Sequence, residues 1–277
     1  PSHNLILFSA SAGGSISIAD LFAAGILPAL LLTVAIMLTS RIIAGRRGYA
    51  AEGFPGLRAV FVRLAAALPG LLLVMLIFVG IRAGVFTAIE SASIAVCYAL
   101  LVTGLVYRKL SREVFLHAVA GAARTASLIL FVIAAAASFG WLLAYLQVPG
   151  AAVEALTAIA DEKIAVLLLM VLMLLVLGTF MDLAPLIIIC TPIFLPVARA
   201  FGVDPVHFGI VLIMTAGIGL ITPPVGSVLF VGAAIGKISV TQTLRSIWPF
   251  YVASIAVLLL VVLFPQISLW LPHALKH

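Results

Sequence analysis

The feature that most constrains this chain is a series of long apolar runs without a single Asp, Glu, Lys or Arg. Such runs are Leu21–Ser40, Leu64–Ile81, Thr125–Val153, Ile164–Met181 and Pro205–Gly236. A membrane span needs about 20 mostly apolar residues. In hydrocarbon an α-helix satisfies its own backbone hydrogen bonds, so these runs predict helices. The sequence therefore indicates an all-α integral membrane protein whose solvent is the lipid bilayer.

Charge and composition support this interpretation. The chain is 65% hydrophobic and 9% charged, whereas soluble domains carry about 25% charged residues. The formal charge of +6 could suggest a nucleic-acid partner. We exclude one, because the basic residues gather in short segments between apolar runs. By the positive-inside rule these segments are cytoplasmic: Arg41–Arg63, Arg108–Arg124 and Lys237–Arg245.

Several acidic and amide residues are explained by helix starts. Thr87–Glu90, Ser17–Asp20 and Ser239–Gln242 each resemble a capping box, in which the first and fourth side chains satisfy free amides of the first turn. These motifs account for Asp20 and Glu90 without a functional role.

Two short apolar arms surround a polar break. Ile164–Leu177 and Leu186–Val197 are too short to span comfortably, and Gly178–Pro185 separates them. This pattern predicts a re-entrant hairpin over residues 164–198, with its tip near mid-membrane and both arms open to the outer side. Non-helical backbone at that depth must be buried in protein or face a water-filled cavity.

A broken helix is predicted over residues 205–236. Pro223 and Pro224 lack backbone N–H groups, so carbonyls around Gly219–Thr222 lose their helical partners. The nearby glycines allow another backbone to approach closely.

The chain also carries a weak internal repeat. Three features recur in the same order and at nearly the same spacing. Pro1-Ser2 corresponds to Pro224-Val225, the Ile-Ser pair that begins at Ile16 corresponds to the one that begins at Ile238, and Pro28 corresponds to Pro249. Charge places the first Ile-Ser loop outside and the second inside, which indicates inverted repeats. We expect residues 1–43 to end a truncated first repeat, 44–63 to form a basic loop or interfacial helix, and 64–277 to form the second repeat.

The hairpin tip and the helix break together predict a polar site inside the membrane. Carbonyl and hydroxyl oxygens suit a hard cation such as Na⁺, for which we expect ligands at Gly178, Gly217, Gly219, Thr222 and Gly226. Helix N-termini suit a carboxylate, so we expect an organic acid to bind near Thr179, Asp182, Pro223, Pro224 and Ser2. No nucleotide-binding glycine motif is present, and no organic cofactor is expected.

Asp182 allows two interpretations. An intramembrane acid is a functional candidate by default, as a cation ligand, a proton carrier or a part of the substrate site. It could equally be the N-cap of the second hairpin arm. The two roles are compatible, because a cap at the tip also shapes the site.

At Gly178–Asp182, Thr191–Val197, Asp204–Gly209 and Gly219–Gly226 the sequence resembles the large membrane subunit of tripartite ATP-independent periplasmic (TRAP) transporters. The resemblance implies an elevator-type secondary transporter in the bacterial inner membrane, driven by a Na⁺ gradient. It also implies a smaller four-helix membrane subunit and a periplasmic binding protein that delivers a dicarboxylate, sialic acid or similar acid. Family members often carry an Asn where Met214-Thr215-Ala216 stands here.

Three alternative functions make different demands on the sequence. Another elevator-type Na⁺/anion symporter would share the hairpin and the break. An intramembrane hydrolase would need a pair of acids or a nucleophile–base pair, and Asp182 is the only acid deep in the hairpin region. A structural membrane scaffold would show no cation-dependent stability.

Overall fold

The computed structural model describes residues 2–49, 53, 55–159, 162–223 and 227–275. Within these ranges the chain forms α-helices and no β-strand. The helices are α1 (His3–Ser11), α2 (Ile18–Ala24), α3 (Ile26–Arg47), α4 (Leu57–Arg82), α5 (Ala88–Leu101), α6 (Arg112–Tyr145), α7 (Val148–Ile159), α8 (Lys163–Phe180), α9 (Leu183–Ala200), α10 (Pro205–Gly219), α11 (Ser227–Gly236), α12 (Val240–Leu263) and α13 (Gln266–Ala274). A short π-helical turn, Val102–Val106, follows α5.

Seven helical segments in the described part of the chain are long and apolar enough to cross a membrane. They are Ile18–Arg47, Leu57–Ile81, Ile89–Val106, Arg112–Ala135, Lys163–Phe180, Leu183–Ala200 and Val240–Leu263. Pro205–Gly219 is apolar but shorter. These lengths confirm the expected all-helical membrane architecture.

The helices extend further than the apolar runs predicted. Each hairpin arm has 18 residues instead of about 14 and 12, so each is about 27 Å long at 1.5 Å per residue. The expectation that the arms are too short to span was therefore wrong, since both are long and apolar enough to cross a membrane. The basic segments are also largely helical, since α3 continues to Arg47 and α6 begins at Arg112. Arg and Lys favour helices and can reach polar surroundings from a helix end. Residues 44–63, which were predicted to form a basic loop or an interfacial helix, are therefore helical at both ends.

The predicted helix caps are present. Thr87 and Glu90 form a reciprocal capping box at the start of α5, and Ser239 and Gln242 form another at the start of α12. At the start of α2, the Ser17 hydroxyl accepts a hydrogen bond from the Asp20 amide at 3.2 Å. These bonds satisfy amides that have no partner within their helix.

The chain divides into two compact units, and residues 47–128 form the smaller one. In it α4 packs against α5. The Phe86 ring lies where a side chain at Gly80 would stand, so this ring would have to move to admit a larger residue. The Tyr98 hydroxyl donates to the Pro69 carbonyl at 2.8 Å. The first contact lies at the turn between α4 and α5, and the second joins α5 to the proline in the interior of α4.

Residues 2–46 and 129–275 belong to the larger unit. Its core is formed where α8 and α9 pack on α10, with α1 and α2 beside them. Phe8, Met170, Leu186 and Phe208 are fully buried there. The Phe8 ring occupies the space above Gly209, which has no side chain to exclude it.

Three side-chain hydrogen bonds connect segments of this unit at the end where α8 begins, which we call the base end. They run from Lys163 Nζ to the Gly202 carbonyl (2.6 Å), from Arg199 Nη2 to Ser15 Oγ (3.2 Å) and between His207 Nδ1 and Ser268 Oγ (2.7 Å). The start of α8 and the end of α9 therefore lie at the same end, so α8 and α9 form a helical hairpin.

Candidate functional site

The hairpin tip is a two-residue turn between α8 and α9. Met181 and Asp182 both have extended backbone angles, with φ of −116° and −72°. The Met181 amide donates to the Leu177 carbonyl at 3.0 Å, which closes α8. The chain reverses direction with only two non-helical residues, so the C-terminus of α8 and the N-terminus of α9 lie next to each other.

Asp182 is the N-cap of α9, as one of its two interpretations predicted. Its Oδ1 accepts a hydrogen bond from the Leu183 amide at 2.9 Å. Asp182 is exposed, and its negative charge stands at the positive end of the α9 dipole. The carboxylate is therefore held at the tip with lone pairs left over for another partner.

Gly178 and Gly219 bring the hairpin tip to the helix break. A Cβ added at Gly219 would lie 2.7 Å from the Gly178 Cα, and a Cβ added at Gly178 would lie 3.1 Å from the Gly219 Cα. Both glycines are buried. Two predicted ion-site residues, 41 positions apart in sequence (178 to 219), are thus in backbone contact.

Thr179 and Thr222 flank this contact in sequence, and both hydroxyls bond to their own helix. Thr179 Oγ1 donates to the Val176 carbonyl at 2.7 Å, and Thr222 Oγ1 donates to the Ile218 carbonyl at 2.7 Å. Each hydroxyl proton is used, and each oxygen keeps lone pairs that can face a cation.

The backbone at the helix break forms more hydrogen bonds than the sequence predicted. The Thr222 amide donates to the Gly219 carbonyl at 2.9 Å, and the Ile221 amide donates to the Ile218 carbonyl at 3.2 Å. We expected the carbonyls near Gly219 to lose their helical partners. The Gly219 carbonyl does lose the helical bond that Pro223 cannot donate, but a turn replaces it, so this carbonyl is not left unpaired. A carbonyl oxygen has two lone pairs, so it can still accept a second partner.

The other predicted residues differ in position. Gly217 is exposed, and a Cβ there would meet nothing within 4 Å, so it does not take part in the close approach. Residues two positions apart lie on nearly opposite faces of an α-helix, so Gly217 faces away from the side on which Gly219 meets Gly178. Pro223 is exposed beside Thr222. Pro224 and Gly226 lie outside the described residues.

Ser2 caps α1 and lies beside α10. Its hydroxyl accepts from the Asn4 amide at 3.3 Å. Together with Leu5, Ile213 and Met214 it lines an apolar cleft of about 220 Å³. The neighbouring Asn4 Oδ1 is buried and has no hydrogen-bond partner in the part of the chain that the structure describes. The start of α1 thus carries a buried oxygen that has no hydrogen-bond partner among the described residues.

A second pocket lies between the break and α12, and the sequence prediction missed it. It has a volume of about 310 Å³ and is lined by Ile221, Thr222, Pro223, Leu244, Ile247, Trp248 and Tyr251. The signal was available, because positions 244, 247, 248 and 251 follow the i, i+3, i+4, i+7 spacing of one helix face.

Charge is distributed unevenly along the hairpin. Lys163 and Arg199 lie at the base end, whereas Asp182 lies at the tip. Arg199 is 16 residues beyond Leu183 on one helix (199 minus 183), which corresponds to about 24 Å. The polar groups at the tip are therefore hydroxyls, backbone dipoles and one carboxylate.

Known proteins that are similar to this chain point to one family. Residues 1–267 match the family described as the tripartite ATP-independent periplasmic transporter, DctM component. The chain is 40% identical over 276 residues to the uncharacterized protein YgiK of Salmonella typhimurium, with 98% of this chain and 62% of the relative covered. It is 35% identical over 273 residues to the sialic acid TRAP transporter large permease protein SiaM of Vibrio cholerae, with 99% and 64% covered.

A third relative is the 2,3-diketo-L-gulonate TRAP transporter large permease protein YiaN of Escherichia coli. It is 31% identical over 267 residues, with 96% of this chain and 62% of the relative covered. The chain thus spans between 62% and 64% of the length of these three relatives.

Proposed function

Because the chain belongs to the DctM component family of tripartite ATP-independent periplasmic transporters, we propose that it is part of a membrane subunit that imports a small organic acid together with Na⁺. The family is one of transporter permeases and not of enzymes. An intramembrane hydrolase is therefore excluded, and the chain is a multi-pass membrane protein.

The observation that carries the proposal is the contact between Gly178 and Gly219. It joins a hairpin tip to a helix break, and in secondary transporters such interruptions supply backbone groups for ions and substrates. Na⁺ would be held by hydroxyl and carbonyl oxygens at Gly178, Gly219 and Thr222. Gly217 and Gly226 stay candidates through their carbonyls, which do not depend on the direction of a side chain.

The carboxylate of the substrate would bind at the N-terminus of α9. Backbone amides there carry partial positive charge, and Thr179 offers a hydroxyl. Pro223, Pro224 and Ser2 would border the same space. Asp182 has the wrong sign to pair with a carboxylate, so bound Na⁺ is needed to offset its charge. This requirement couples the ion to the substrate without a basic residue at the tip.

Movement of the hairpin would carry the site across the membrane. α8 and α9 both pack on α10, and Lys163 bonds to the Gly202 carbonyl at the base end, so these three helices can move as one body. We propose an elevator-type motion of inverted repeats in the bacterial inner membrane. A small four-helix membrane subunit and a periplasmic substrate-binding protein complete the transporter.

Transport by the complete protein tests this function. It would be reconstituted in liposomes with its small subunit and binding protein, and uptake of radiolabelled acids would be measured under an inward Na⁺ gradient. Sialic acid and 2,3-diketo-L-gulonate, which occur in the names of two relatives, are the first candidates. We expect uptake of one organic acid to require Na⁺. Equal uptake when K⁺ replaces Na⁺ would overturn sodium coupling, and a Na⁺-coupled uptake that needs no binding protein would favour another type of symporter.

A further inference from the structure

The pocket between the helix break and α12 has a purely apolar and aromatic wall on its α12 side. Leu244, Ile247, Trp248 and Tyr251 form that wall, and Thr222 with its neighbours forms the other. The Trp248 and Tyr251 rings stack with centroids 5.8 Å apart. Trp248 is 63% exposed, so this part of the pocket wall lies at the surface of the protein.

The surface beside Trp248 carries an exposed basic residue, Arg245. Arg245 stands three residues before Trp248, which places both on the same face of α12. Lys237 lies just before the Ser239 cap of this helix. No acidic residue occurs in Val240–Leu263, so α12 does not neutralise Arg245. Both cations belong to a segment that the positive-inside rule places at the cytoplasmic surface.

From these features we propose that the pocket holds part of one acyl chain of an anionic phospholipid whose phosphate lies against Arg245. Three observations select this ligand. The pocket volume of about 310 Å³ exceeds the roughly 150 Å³ that holds a small hydrocarbon. Its lining suits hydrocarbon, and the cation of Arg245 lies about one helical turn from Trp248. Trp and Tyr side chains favour the depth at which a lipid headgroup meets its chains.

The position of this lipid gives it a specific consequence. Thr222 and Pro223 lie on the pocket wall, and the Thr222 hydroxyl bonds to Ile218 in the last turn of α10. An acyl chain in the pocket would press directly on the helix break. Lipid binding here does not depend on the transport proposed above, and it is measured without transport.

Lipid retention by the complete protein tests the site. The protein would be placed in nanodiscs of phosphatidylcholine with or without phosphatidylglycerol, then extracted and analysed by native mass spectrometry. We expect the wild type to retain one phosphatidylglycerol more than Arg245→Gln or Ile247→Trp, the second of which fills the pocket. Each basic residue near an anionic surface contributes about 1 kcal/mol, so Arg245→Gln should weaken phosphatidylglycerol binding about fivefold.

Matched controls separate this site from general lipid contact. Arg124→Gln removes another exposed cation from a predicted cytoplasmic segment, and Ile235→Trp enlarges an exposed side chain of α11. Both controls should retain lipid as the wild type does. Equal retention by all variants, loss in the controls as well, or equal retention of phosphatidylcholine would overturn the proposal. Arg245→Gln leaves the packing unchanged, so it decides the question even where Ile247→Trp does not fold.

Discussion

The backbones of Gly178 and Gly219 touch, with no room for a side chain between them. A Cβ at Gly219 would lie 2.7 Å from Cα and 2.8 Å from the carbonyl carbon of Gly178. Atoms of a rigid backbone cannot give way as the end of a flexible side chain can. The contact is therefore possible only for glycine, and it holds the hairpin tip against the helix break.

Gly219→Ala should destabilise the complete protein and abolish transport, because the added methyl group forces α8 and α10 apart. Overpacking of this kind costs about 1–3 kcal/mol. Gly217→Ala is the control, since a Cβ there meets nothing within 4 Å and alanine favours a helix by up to about 1 kcal/mol. Thermal unfolding and uptake would be measured for both. Wild-type behaviour of Gly219→Ala would contradict the close approach.

The two ends of the hairpin should face the same side of the membrane. Cysteines placed at Lys163 and at Arg199 should both react with a membrane-impermeant reagent added from outside, because the start of α8 and the end of α9 meet at the base end. A cysteine at Arg245 should react only from the cytoplasmic side. Labelling of positions 163 and 199 from opposite sides would show that the hairpin is wrong.

Arg199→Gln should leave substrate affinity within about twofold of the wild type. Arg199 is exposed, bonds to Ser15 and lies far from the tip. Arg199 is about 24 Å from the start of α9, which is well beyond the Debye length of roughly 10 Å, so this exposed charge should contribute little to anion binding at the tip. Complete loss of binding by a folded Arg199→Gln protein would mean that this guanidinium reaches the carboxylate, and the depth assigned to the hairpin would be wrong.

Ser268→Ala should lower the thermal midpoint more than Ser254→Ala does. Ser268 is the partner of buried His207 Nδ1, whereas Ser254 bonds only within its own helix, to the Phe250 carbonyl. His207 is 1% exposed, and its Nε2 has no partner among the described residues. Leaving Nδ1 unpaired as well costs about 1–3 kcal/mol. Equal midpoints for the two variants would show that the α10–α13 bond contributes nothing.

Much of this architecture could be predicted from local chemistry. The capping boxes at Thr87 and Ser239 were correctly predicted, because each needs only two side chains three residues apart. The break after Gly219 follows from consecutive prolines that cannot donate hydrogen bonds. Asp182 was correctly identified as a possible cap for the same local reason.

The sequence could not predict which face of a helix packs against the hairpin, or which residues far apart in the chain contact each other. Glycines at 217 and 219 look alike in sequence, but only Gly219 faces Gly178. Helix periodicity indicates that the two glycines differ in direction, and it does not say which direction faces the hairpin. Arg199 and Ser15 are 184 residues apart, and no local rule pairs them. The arm lengths were underestimated because helices continue past their apolar runs.

The stability of the purified complete protein in different cations tests the central claim, a Na⁺ site at the tip and the break, most directly. Because Na⁺ would bind only the folded protein, it should raise the thermal midpoint in a saturable way, and K⁺ at the same ionic strength should not. Thr222→Ala should move this effect to higher Na⁺ concentration, since it removes one oxygen ligand. Thr33→Ala, which removes an exposed hydroxyl with the same kind of helical bond, should not. Identical midpoints in Na⁺ and K⁺ for the wild type would contradict the account.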